Sequence, residues 1–586
     1  MPVVSVRLRD FCSLIGLDLS IDDLKDRMPM MGVAWEREYE DGFDVEVFPN
    51  RPDMFSVEGL ARAYAGFIGV SEGLRRYDVR EGGPTVYVDR GIESVRPYIL
   101  VALIDGVNLS EYALESVIQL QEKLHISYCR DRRKASIGIH DAGRLEYPLT
   151  YRAVRGDELR FKPLDFDDEL TPEEILEKHP KGIAYGHLVR SYGSYPILMD
   201  ARGRVLSMPP IINGEFTRVT TATKRLLVDI TGLDIDVVSS VMKILVCNIC
   251  ERGGVIYTGE SIYEYDTPLG RRVKAPILEP YRMELNLDRA CKLIGVNIGV
   301  DDALKLLRRM RYDARIIDRG IIEVYVPPYR VDIMHWVDLA EDLLIAFGYD
   351  KVEPIIPAIA TIGGENPLEL FTRKVREVMV GLGFQEVMTY ILSNPRDQFD
   401  LMRTSRSPCV EIGNPKTLEF TICRLWLLPC LMRVLASNKH NPYPQRIFEA
   451  DDVVVLDPLS ETGARNLRKL AATSAHVEAD FAEAKAVAEA LMRCLGLRAS
   501  YKPISHPSFI EGRAASIEVD GVEVGFLGEI HPEILEKLGL ENPVAAVEVN
   551  LESLYHIVRK RSGSVGSAYE VSNRFKASKS AHTSTG

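Results

Sequence analysis

The pattern of apolar and polar positions predicts a mixture of strands and helices. Alternation with a period of two in KASIGIH, YPILMD and AASIEVDGVEVGFLGEI predicts strands. FTRKVREVMVGLGF and residues 481–496 instead show the spacing of helices. The chain is therefore predicted to be α+β, with an antiparallel sheet in its last domain. Its 586 residues suggest roughly three to five domains.

One segment of this pattern occurs twice. Residues 14–69 match residues 293–348 at a constant offset of 279 residues, without gaps. The shared positions include Leu14, Ile15, Gly16, Pro49, Arg51 and Asp53 with Leu293, Ile294, Gly295, Pro328, Arg330 and Asp332. The repeat predicts a duplicated small α/β module, formed by a helix, short strands, a proline-rich turn and a second helix.

The second copy contains a group of acids within VPPYRVDIMHWVDLAEDLLIAFGYD. They are Asp332, Asp338, Glu341 and Asp342. If a helix runs from the Pro327–Pro328 turn to about Gly348, the last three acids lie opposite an apolar face. That face is formed by Val337, Ala340, Leu343, Leu344 and Phe347.

Two interpretations of these acids remain open. They solvate the helix and complement its dipole, or they bind a partner or a hard cation such as Mg²⁺, which prefers carboxylate oxygens. The first copy has Gly59, Arg62 and Ala63 where the second has its helical acids. The fold of the module therefore does not require the cluster.

Composition narrows the class of protein. A formal net charge of −13 argues against nonspecific nucleic-acid binding, so any RNA contact is expected to be local. KLHISYCRDRRK, residues 123–134, concentrates five basic side chains. This segment either guides a phosphate backbone or is a solvated basic face.

Cysteine usage and hydropathy suggest a reduced, cytoplasmic and soluble protein. The nine cysteines are irregularly spaced, and Cys247 and Cys250 lie in an apolar run that favours a core position over a zinc or redox site. The start of the chain has no signal-peptide pattern, and no segment is apolar enough to span a membrane.

Several long motifs resemble the beta subunit of phenylalanyl-tRNA synthetase, of the archaeal and eukaryotic type. They are FDVEVFPNRPDMFSVEGLARAYAGFIG, PPYRVDIMHWVDLAEDLLIAFGYD, LSMPPIINGEFTRVT and NPKTLEFTICRLWLLPCL. The resemblance covers residues 1 to about 558. It implies an N-terminal module (1–85), a B3/B4-type editing domain (90–270), a B5-like module (275–355) and a class II synthetase-like core (362–558). Residues 559–586, rich in Ser, Gly, Ala and Lys, are predicted to be disordered.

The resemblance also implies partners and cofactors. The positions of Asp332, Asp338, Glu341 and Asp342 match the family's Mg²⁺ ligands, in a site shared with an alpha subunit of an α2β2 tetramer that acts on tRNA(Phe). In the core, Arg424 stands in a motif-2-like setting, but GFLGEIHPEIL contains no arginine for an ATP clamp. ATP is therefore expected to be used at the alpha-subunit site.

An editing function follows from the same resemblance. A mostly apolar phenylalanine pocket rejects tyrosine imperfectly, so a second, hydrolytic site is needed. The matching pocket positions are Leu198, Ser207, Asp229 and Thr231, near the loop Asn213-Gly214-Glu215. Asp229 or Ser207 is expected to recognise the tyrosine hydroxyl, and no general base is assigned.

The residues of LLVDITGLD alone do not settle that pocket. Asp229 and Thr231 alternate on one face near a strand end, which suits either a pocket or a strand cap. For the whole chain, two alternatives to a ligase subunit remain: a free-standing aminoacyl-tRNA deacylase and a noncatalytic tRNA-binding scaffold.

Overall fold

The computed structural model describes residues 2–561, and the chain divides into two compact units between Ile356 and Pro357. Of the tail predicted to be disordered, residues 562–586 lie outside the described part, whereas residues 559–561 are helical. Within residues 2–561, every helix is too short or too polar to cross a lipid bilayer. The prediction of a multidomain α+β protein is confirmed.

The first module is a three-stranded antiparallel sheet, in the order β1-β3-β2, with helices packed on it. Its elements are β1 (Val3–Arg7), α1 (Leu8–Ile15), α2 (Ile21–Arg27), β2 (Val33–Glu38), β3 (Gly42–Val47) and α3 (Val57–Phe67). Helix α1 ends because Gly16 adopts a left-handed conformation with φ 79°, which glycine tolerates without steric cost.

The middle domain is built on an 11-stranded mixed sheet whose main path runs β11-β10-β9-β8-β5-β13-β6-β12-β7. Its elements are β4 (Val79–Arg80), β5 (Thr85–Val88), β6 (Tyr98–Asp105), α4 (Glu111–Ile126), β7 (Ala135–Asp141), β8 (Leu149–Val154), α5 (Pro172–Lys178), α6 (Pro180–Tyr185), β9 (Tyr195–Met199), β10 (Val205–Met208), β11 (Ile212–Asn213), β12 (Arg225–Gly232), α7 (Ile235–Cys250), β13 (Val255–Tyr263) and β14 (Arg272–Ala275).

Strand β13 ties the ends of this domain together. It pairs with β4 and β5 on the N-terminal side and with β14 on the C-terminal side, so the sheet extends beyond residues 90–270 in both directions. Helix α7 packs on the sheet and buries Cys247 and Cys250. Their predicted core position is confirmed.

The second module repeats the first. Its elements are β15 (Tyr281–Asn286), α8 (Leu287–Ile294), α9 (Val300–Arg309), β16 (Asp313–Asp318), β17 (Ile321–Val326) and α10 (Trp336–Phe347). The sheet order β15-β17-β16 reproduces β1-β3-β2, and α8 ends at Gly295 with φ 77°, as α1 ends at Gly16. The duplication predicted from the sequence is present in the structure.

The two modules also pack against each other. The Arg309 guanidinium donates to the Phe67 carbonyl at 2.7 Å, and that of Arg62 stacks over the Tyr329 ring at 3.6 Å. A Cβ on Gly66 would lie 2.6 Å from the Arg309 carbonyl oxygen, so the absence of a side chain permits this close approach.

The second unit contains a seven-stranded sheet in the order β18-β21-β22-β26-β25-β24-β23, antiparallel except for β18 and β21. Its elements are α11 (Pro367–Gly381), β18 (Gln385–Glu386), β19 (Leu392–Ser393), β20 (Ile422–Cys423), α12 (Leu428–Ser437), β21 (Gln445–Leu456), β22 (Ala464–Ala475), α13 (Phe481–Cys494), β23 (Ala499–Pro503), β24 (Phe509–Val519), β25 (Val522–Ile530), α14 (Pro532–Leu538), β26 (Val544–Asn550) and α15 (Leu551–Arg561).

Both faces of this sheet are covered by helices. Adjacent residues Leu470 and Ala471 point to opposite faces and join separate hydrophobic cores. Helices α11, α13 and α15 contribute to one core, and α12 and α14 to the other. The predicted antiparallel sheet is confirmed.

Candidate active site

The middle domain contains a cavity of about 570 Å³, a size that suits a small ligand. Strands β7 and β12, helix α4 and the segment after β10 supply its wall. Apolar side chains form much of that wall, including Val117, Ile137, Ile139, Ile211, Val219 and Leu226. A flat hydrophobic ring fits such a lining.

Two of the four predicted pocket residues, Ser207 and Asp229, line this cavity. Both are almost fully buried, and the Ser207 hydroxyl has no hydrogen-bond partner among the described residues. The Asp229 carboxylate Oδ2 lies 2.8 Å from the His140 Nε2. A buried hydroxyl without a partner is costly in a folded protein, so Ser207 is available to a ligand.

The other two predicted residues lie behind the wall. The Thr231 hydroxyl accepts a hydrogen bond from the Arg96 Nε at 2.9 Å and lies 2.9 Å from the hydroxyl of Ser136, which lines the cavity. Leu198 is fully buried on β9 as the cross-strand neighbour of Ser207. In this structure Thr231 and Leu198 support lining residues without facing the cavity themselves.

Of the predicted segment Asn213-Gly214-Glu215, two residues line the cavity and one does not. Asn213 and Gly214 line the cavity, and the Asn213 amide donates to the Ile139 carbonyl at 3.3 Å. Glu215 accepts a hydrogen bond from the Arg218 Nε at 2.8 Å. This contact lowers the pKa of the Glu215 carboxyl.

Sequence reasoning missed His140. Its ring is fully buried, with Nε2 on Asp229 and Nδ1 2.7 Å from the Thr217 hydroxyl. Gly138 makes room for this pair, because a Cβ there would overlap the Asp229 carboxylate and lie 2.7 Å from the His140 Nε2. The alternation of Ser136, Gly138 and His140 in KASIGIH was the available signal, since it places all three on one strand face.

The sequence indicates for Arg132 only that it belongs to a basic segment, but the structure buries it in the cavity wall. Its Nη1 donates to the carbonyls of Pro210 and Ile211, both at 3.0 Å, and its Nη2 lies 3.0 Å from the Glu122 carboxylate. Arg132 adopts a φ of 63°, which is uncommon for a residue with a side chain. The network around it maintains this strained turn.

The rest of the basic segment serves several purposes. Lys134 pairs with Asp234 at 3.0 Å, while Arg130 and Arg133 are exposed. The buried His125 accepts from the Ile137 backbone N–H at 2.8 Å, and burial lowers the pKa of its imidazole to about 4. Neither a phosphate track nor a solvated face describes the whole segment.

The acids of the second module are largely committed within the chain. The buried Arg330 guanidinium lies 2.7 Å from both Asp332 and Asp342. Asp342 also accepts a hydrogen bond from the Tyr312 hydroxyl. The predicted position of Asp342 opposite the buried face is wrong, because its side chain turns inward to neutralise Arg330.

Asp338 and Glu341 occupy the accessible side. Helix α10 begins at Trp336, later than the sequence suggested, and the Asp338 carboxylate accepts the N–H groups of Met334 and His335 at 2.8 and 2.7 Å. Glu341 is exposed, and partial desolvation of its carboxyl, together with the charges of Asp342 and Asp338, raises its pKa.

Carboxylate oxygens are the donors that Mg²⁺ prefers, so the chemistry of the four acids fits the ion, although Asp332 and Asp342 are already paired with Arg330. The geometry of the single chain is incomplete. Within residues 2–561 no three His, Cys, Asp or Glu side chains are arranged to hold a metal. The four acids therefore stay a prediction as metal ligands.

In the second unit, Arg424 is a structural residue. Its side chain is fully buried, with Nη1 2.7 Å from the Glu449 carboxylate and Nε 2.9 Å from the Asp452 carbonyl. Because these contacts occupy the guanidinium, Arg424 is not displayed for a nucleotide phosphate.

Comparisons with known proteins cover both units. The family model of the phenylalanyl-tRNA synthetase beta chain CLM domain matches residues 352–551, and that of the tRNA synthetase B5 domain matches residues 283–349. A crystal structure of an N-terminal fragment of the phenylalanyl-tRNA synthetase beta subunit from Pyrococcus horikoshii is similar, with a TM-score of 0.56 and 38% identity. It covers 59% of this chain and 100% of the fragment.

Full-length relatives give the same result. The phenylalanine–tRNA ligase beta subunit of Methanocaldococcus jannaschii is 43% identical over 557 residues, covering 94% of this chain and 100% of the relative. That of Pyrococcus abyssi is 41% identical over 561 residues, covering 95% and 100%. Similarity of this extent, together with the two domain matches, shows that the chain belongs to the phenylalanine–tRNA ligase beta subunit family.

Proposed function

We propose that this chain assembles with an alpha subunit as an α2β2 phenylalanine–tRNA ligase of the cytoplasm, and that its middle domain is a B3/B4-type editing domain. The cavity then hydrolyses tyrosyl-tRNA(Phe) that the alpha subunit forms in error. The single observation that carries the editing proposal is that the unpaired Ser207 hydroxyl and the Asp229 carboxylate line the same largely apolar cavity.

This combination of groups suits tyrosine. Its ring is apolar, and its hydroxyl both donates and accepts hydrogen bonds, so it can donate to Asp229 and accept from Ser207. Phenylalanine in the same place leaves the Ser207 hydroxyl and the second oxygen of Asp229 without a hydrogen-bond partner, which disfavours its binding. In the reaction, water adds to the ester carbonyl, the bond to the terminal ribose oxygen breaks, and tyrosine leaves tRNA(Phe).

The second unit is proposed to be a class II synthetase-like core that no longer performs adenylation. Arg424 has a motif-2-like position but is committed to Glu449, which supports the use of ATP at the alpha subunit alone. The core then has a docking role.

The acid cluster is proposed to hold Mg²⁺ with groups from the alpha subunit. Glu341 and Asp338 lie on the accessible side of α10, while Asp332 and Asp342 share Arg330. A bound cation would neutralise carboxylates that subunit contact would otherwise bury as unpaired charges.

The proposal is tested by coexpressing the full chain with an alpha subunit and purifying the complex. Size measurement is expected to give the tetramer. Phenylalanine-dependent ATP–pyrophosphate exchange is expected only when the alpha subunit is present. Exchange by this chain alone would refute the division of labour, and failure to assemble would favour a deacylase or a tRNA-binding scaffold that acts without a partner.

Editing is tested in the same complex with Asp229→Ala. Deacylation of tyrosyl-tRNA(Phe) is expected to fall at least tenfold while phenylalanylation is retained, because one charged hydrogen bond contributes roughly 1.5–3 kcal/mol. Asp168→Ala, an exposed position in the same domain, is the matched control. Undiminished deacylation by Asp229→Ala would remove this residue from the site.

A further inference from the structure

We propose that His140 is a positioning residue that sets the preference of the cavity for tyrosine over phenylalanine by holding Asp229. This inference rests on the proposed editing function. His140 is not part of the cavity wall, so it acts through a neighbour and not on the substrate itself.

The hydrogen bonds fix how His140 is used. An ionised carboxylate only accepts hydrogen bonds, so the Nε2 of His140 carries the proton directed at Asp229 Oδ2. In the neutral imidazole, Nδ1 then accepts from the Thr217 hydroxyl at 2.7 Å. Thr217 lines the cavity. Its single hydroxyl proton is directed at Nδ1 in this arrangement, so the 3.3 Å approach to the Gly214 carbonyl is then a contact and not a second hydrogen bond.

This contact leaves the carboxylate with one oxygen for a ligand. His140 occupies Oδ2, and within residues 2–561 no group donates a hydrogen bond to Oδ1. The register of the sheet maintains the arrangement, because Asp229 is paired with Gly138 and Leu227 with His140 on adjacent strands. With His140 on one side, the carboxylate cannot rotate freely.

Loss of this contact has a specific consequence for selectivity. A carboxylate oxygen that is free and held in one place accepts a hydrogen bond from the tyrosine hydroxyl and so strengthens the binding of tyrosine. Phenylalanine has no such donor and gains nothing from this oxygen. Without the imidazole, the buried charge lacks its donor and the carboxylate is no longer held in place. Discrimination between the two amino acids should then decrease, whereas a purely structural role would reduce both reactions together.

The test uses the full chain assembled with an alpha subunit, and measures kcat and KM for hydrolysis of tyrosyl-tRNA(Phe) and phenylalanyl-tRNA(Phe). His140→Leu is expected to reduce the tyrosine-to-phenylalanine ratio of kcat/KM by roughly tenfold or more. His140→Gln, whose amide can place an N–H near the position of Nε2, is expected to restore most of the ratio.

Two further variants complete the design. His187→Leu, at an exposed histidine of the same domain, is expected to leave the ratio unchanged. Thr217→Val removes the hydroxyl that contacts Nδ1 and is expected to reduce the ratio by a smaller factor. It provides a second measurement if His140→Leu does not fold.

The outcomes distinguish failure of the positioning role of His140 from failure of the proposed editing function. If the wild-type complex hydrolyses tyrosyl-tRNA(Phe) but His140→Leu keeps the full ratio, the positioning role is wrong and editing stands. An equal decrease for both substrates, accompanied by a lower melting temperature, also overturns the role. If the wild-type complex hydrolyses neither substrate, the proposed editing function fails and the inference fails with it.

Discussion

Arg330 pairs with Asp342 at 2.7 Å, and this contact has no counterpart in the first module. There Arg51 occupies the position of Arg330 and pairs with Asp53 at 2.8 Å, as Arg330 does with Asp332. The residue matching Asp342 is Ala63. The second module therefore has an added buried ion pair that fastens its proline-rich turn to α10.

Asp342→Asn should destabilise the second module. The substitution leaves the buried Arg330 with one fewer anionic partner, and breaking a buried pair costs on the order of 3 kcal/mol. Urea unfolding of the full chain measures the change in the free energy of unfolding. Glu341→Gln is the matched control, one residue away on the accessible side, and should unfold like the wild type.

Glu341→Gln should also isolate the role of Mg²⁺. Partial desolvation and the neighbouring acids raise the pKa of this carboxyl, so its neutralisation relieves repulsion and should not harm the fold. The wild-type chain is expected to associate more tightly with an alpha subunit when Mg²⁺ is added, and the variant to lose most of that dependence. Association measured with Mg²⁺ or a chelator checks this, and equal responses of both proteins would exclude Glu341 as a ligand.

Ser207→Ala should separate stability from activity. Removing a buried hydroxyl that has no partner is expected to leave the melting temperature unchanged or slightly higher, because such a group costs about 1–3 kcal/mol. Hydrolysis of tyrosyl-tRNA(Phe) should nevertheless slow several-fold. A loss of both stability and hydrolysis would instead indicate a packing role.

Gly138→Ala should impair editing. The added methyl group would overlap the Asp229 carboxylate and approach His140, which forces this pair apart. Tyrosyl-tRNA(Phe) hydrolysis is expected to fall at least tenfold in a deacylation assay, by the same energetic argument as for Asp229. Gly381→Ala is the control because a Cβ there meets nothing within 4 Å.

Acid should destabilise the chain through His125. Burial lowers the pKa of this imidazole from 6.5 to about 4, so the unfolded chain binds the proton first as pH falls. The free energy of unfolding should therefore decrease between pH 6.5 and pH 4, by up to about 3 kcal/mol. Melting temperatures across this range should decline less for His125→Gln, and a His187→Gln control should follow the wild type.

The sequence predicted the repeat well because its signals are local. Leu-Ile-Gly encodes the end of a helix through a left-handed glycine, and Arg-x-Asp encodes an ion pair within one turn. Both signals occur in each copy of the module, at the same offset of 279 residues. The positions of the helical acids were harder to predict from the sequence. Hydropathy places every carboxylate toward solvent, whereas Asp342 is buried because it pairs with Arg330, twelve residues earlier.

Only part of the cavity could be predicted for a related reason. Ser207 and Asp229 matched a family pattern, but the pairing of Asp229 with Gly138 depends on the register of two strands about 90 residues apart in the chain. The same register brings His140 to Asp229 and Ser136 to Thr231. No local pattern in the chain specifies it.

The packing of the two modules has a consequence for synthesis of the protein. Arg309 contacts the Phe67 carbonyl and Tyr329 packs under the Arg62 guanidinium, and both contacts join α3 to residues more than 240 positions later in the chain. The sheet of the middle domain, which lies between the two modules in the chain, is likewise completed only when β13 pairs with β5. A ribosome making this chain at about 5–20 residues per second leaves the first module without its cover for at least ten seconds. Contacts of such long range form slowly, so nascent chains stalled before residue 309 should be sensitive to proteases and should engage chaperones.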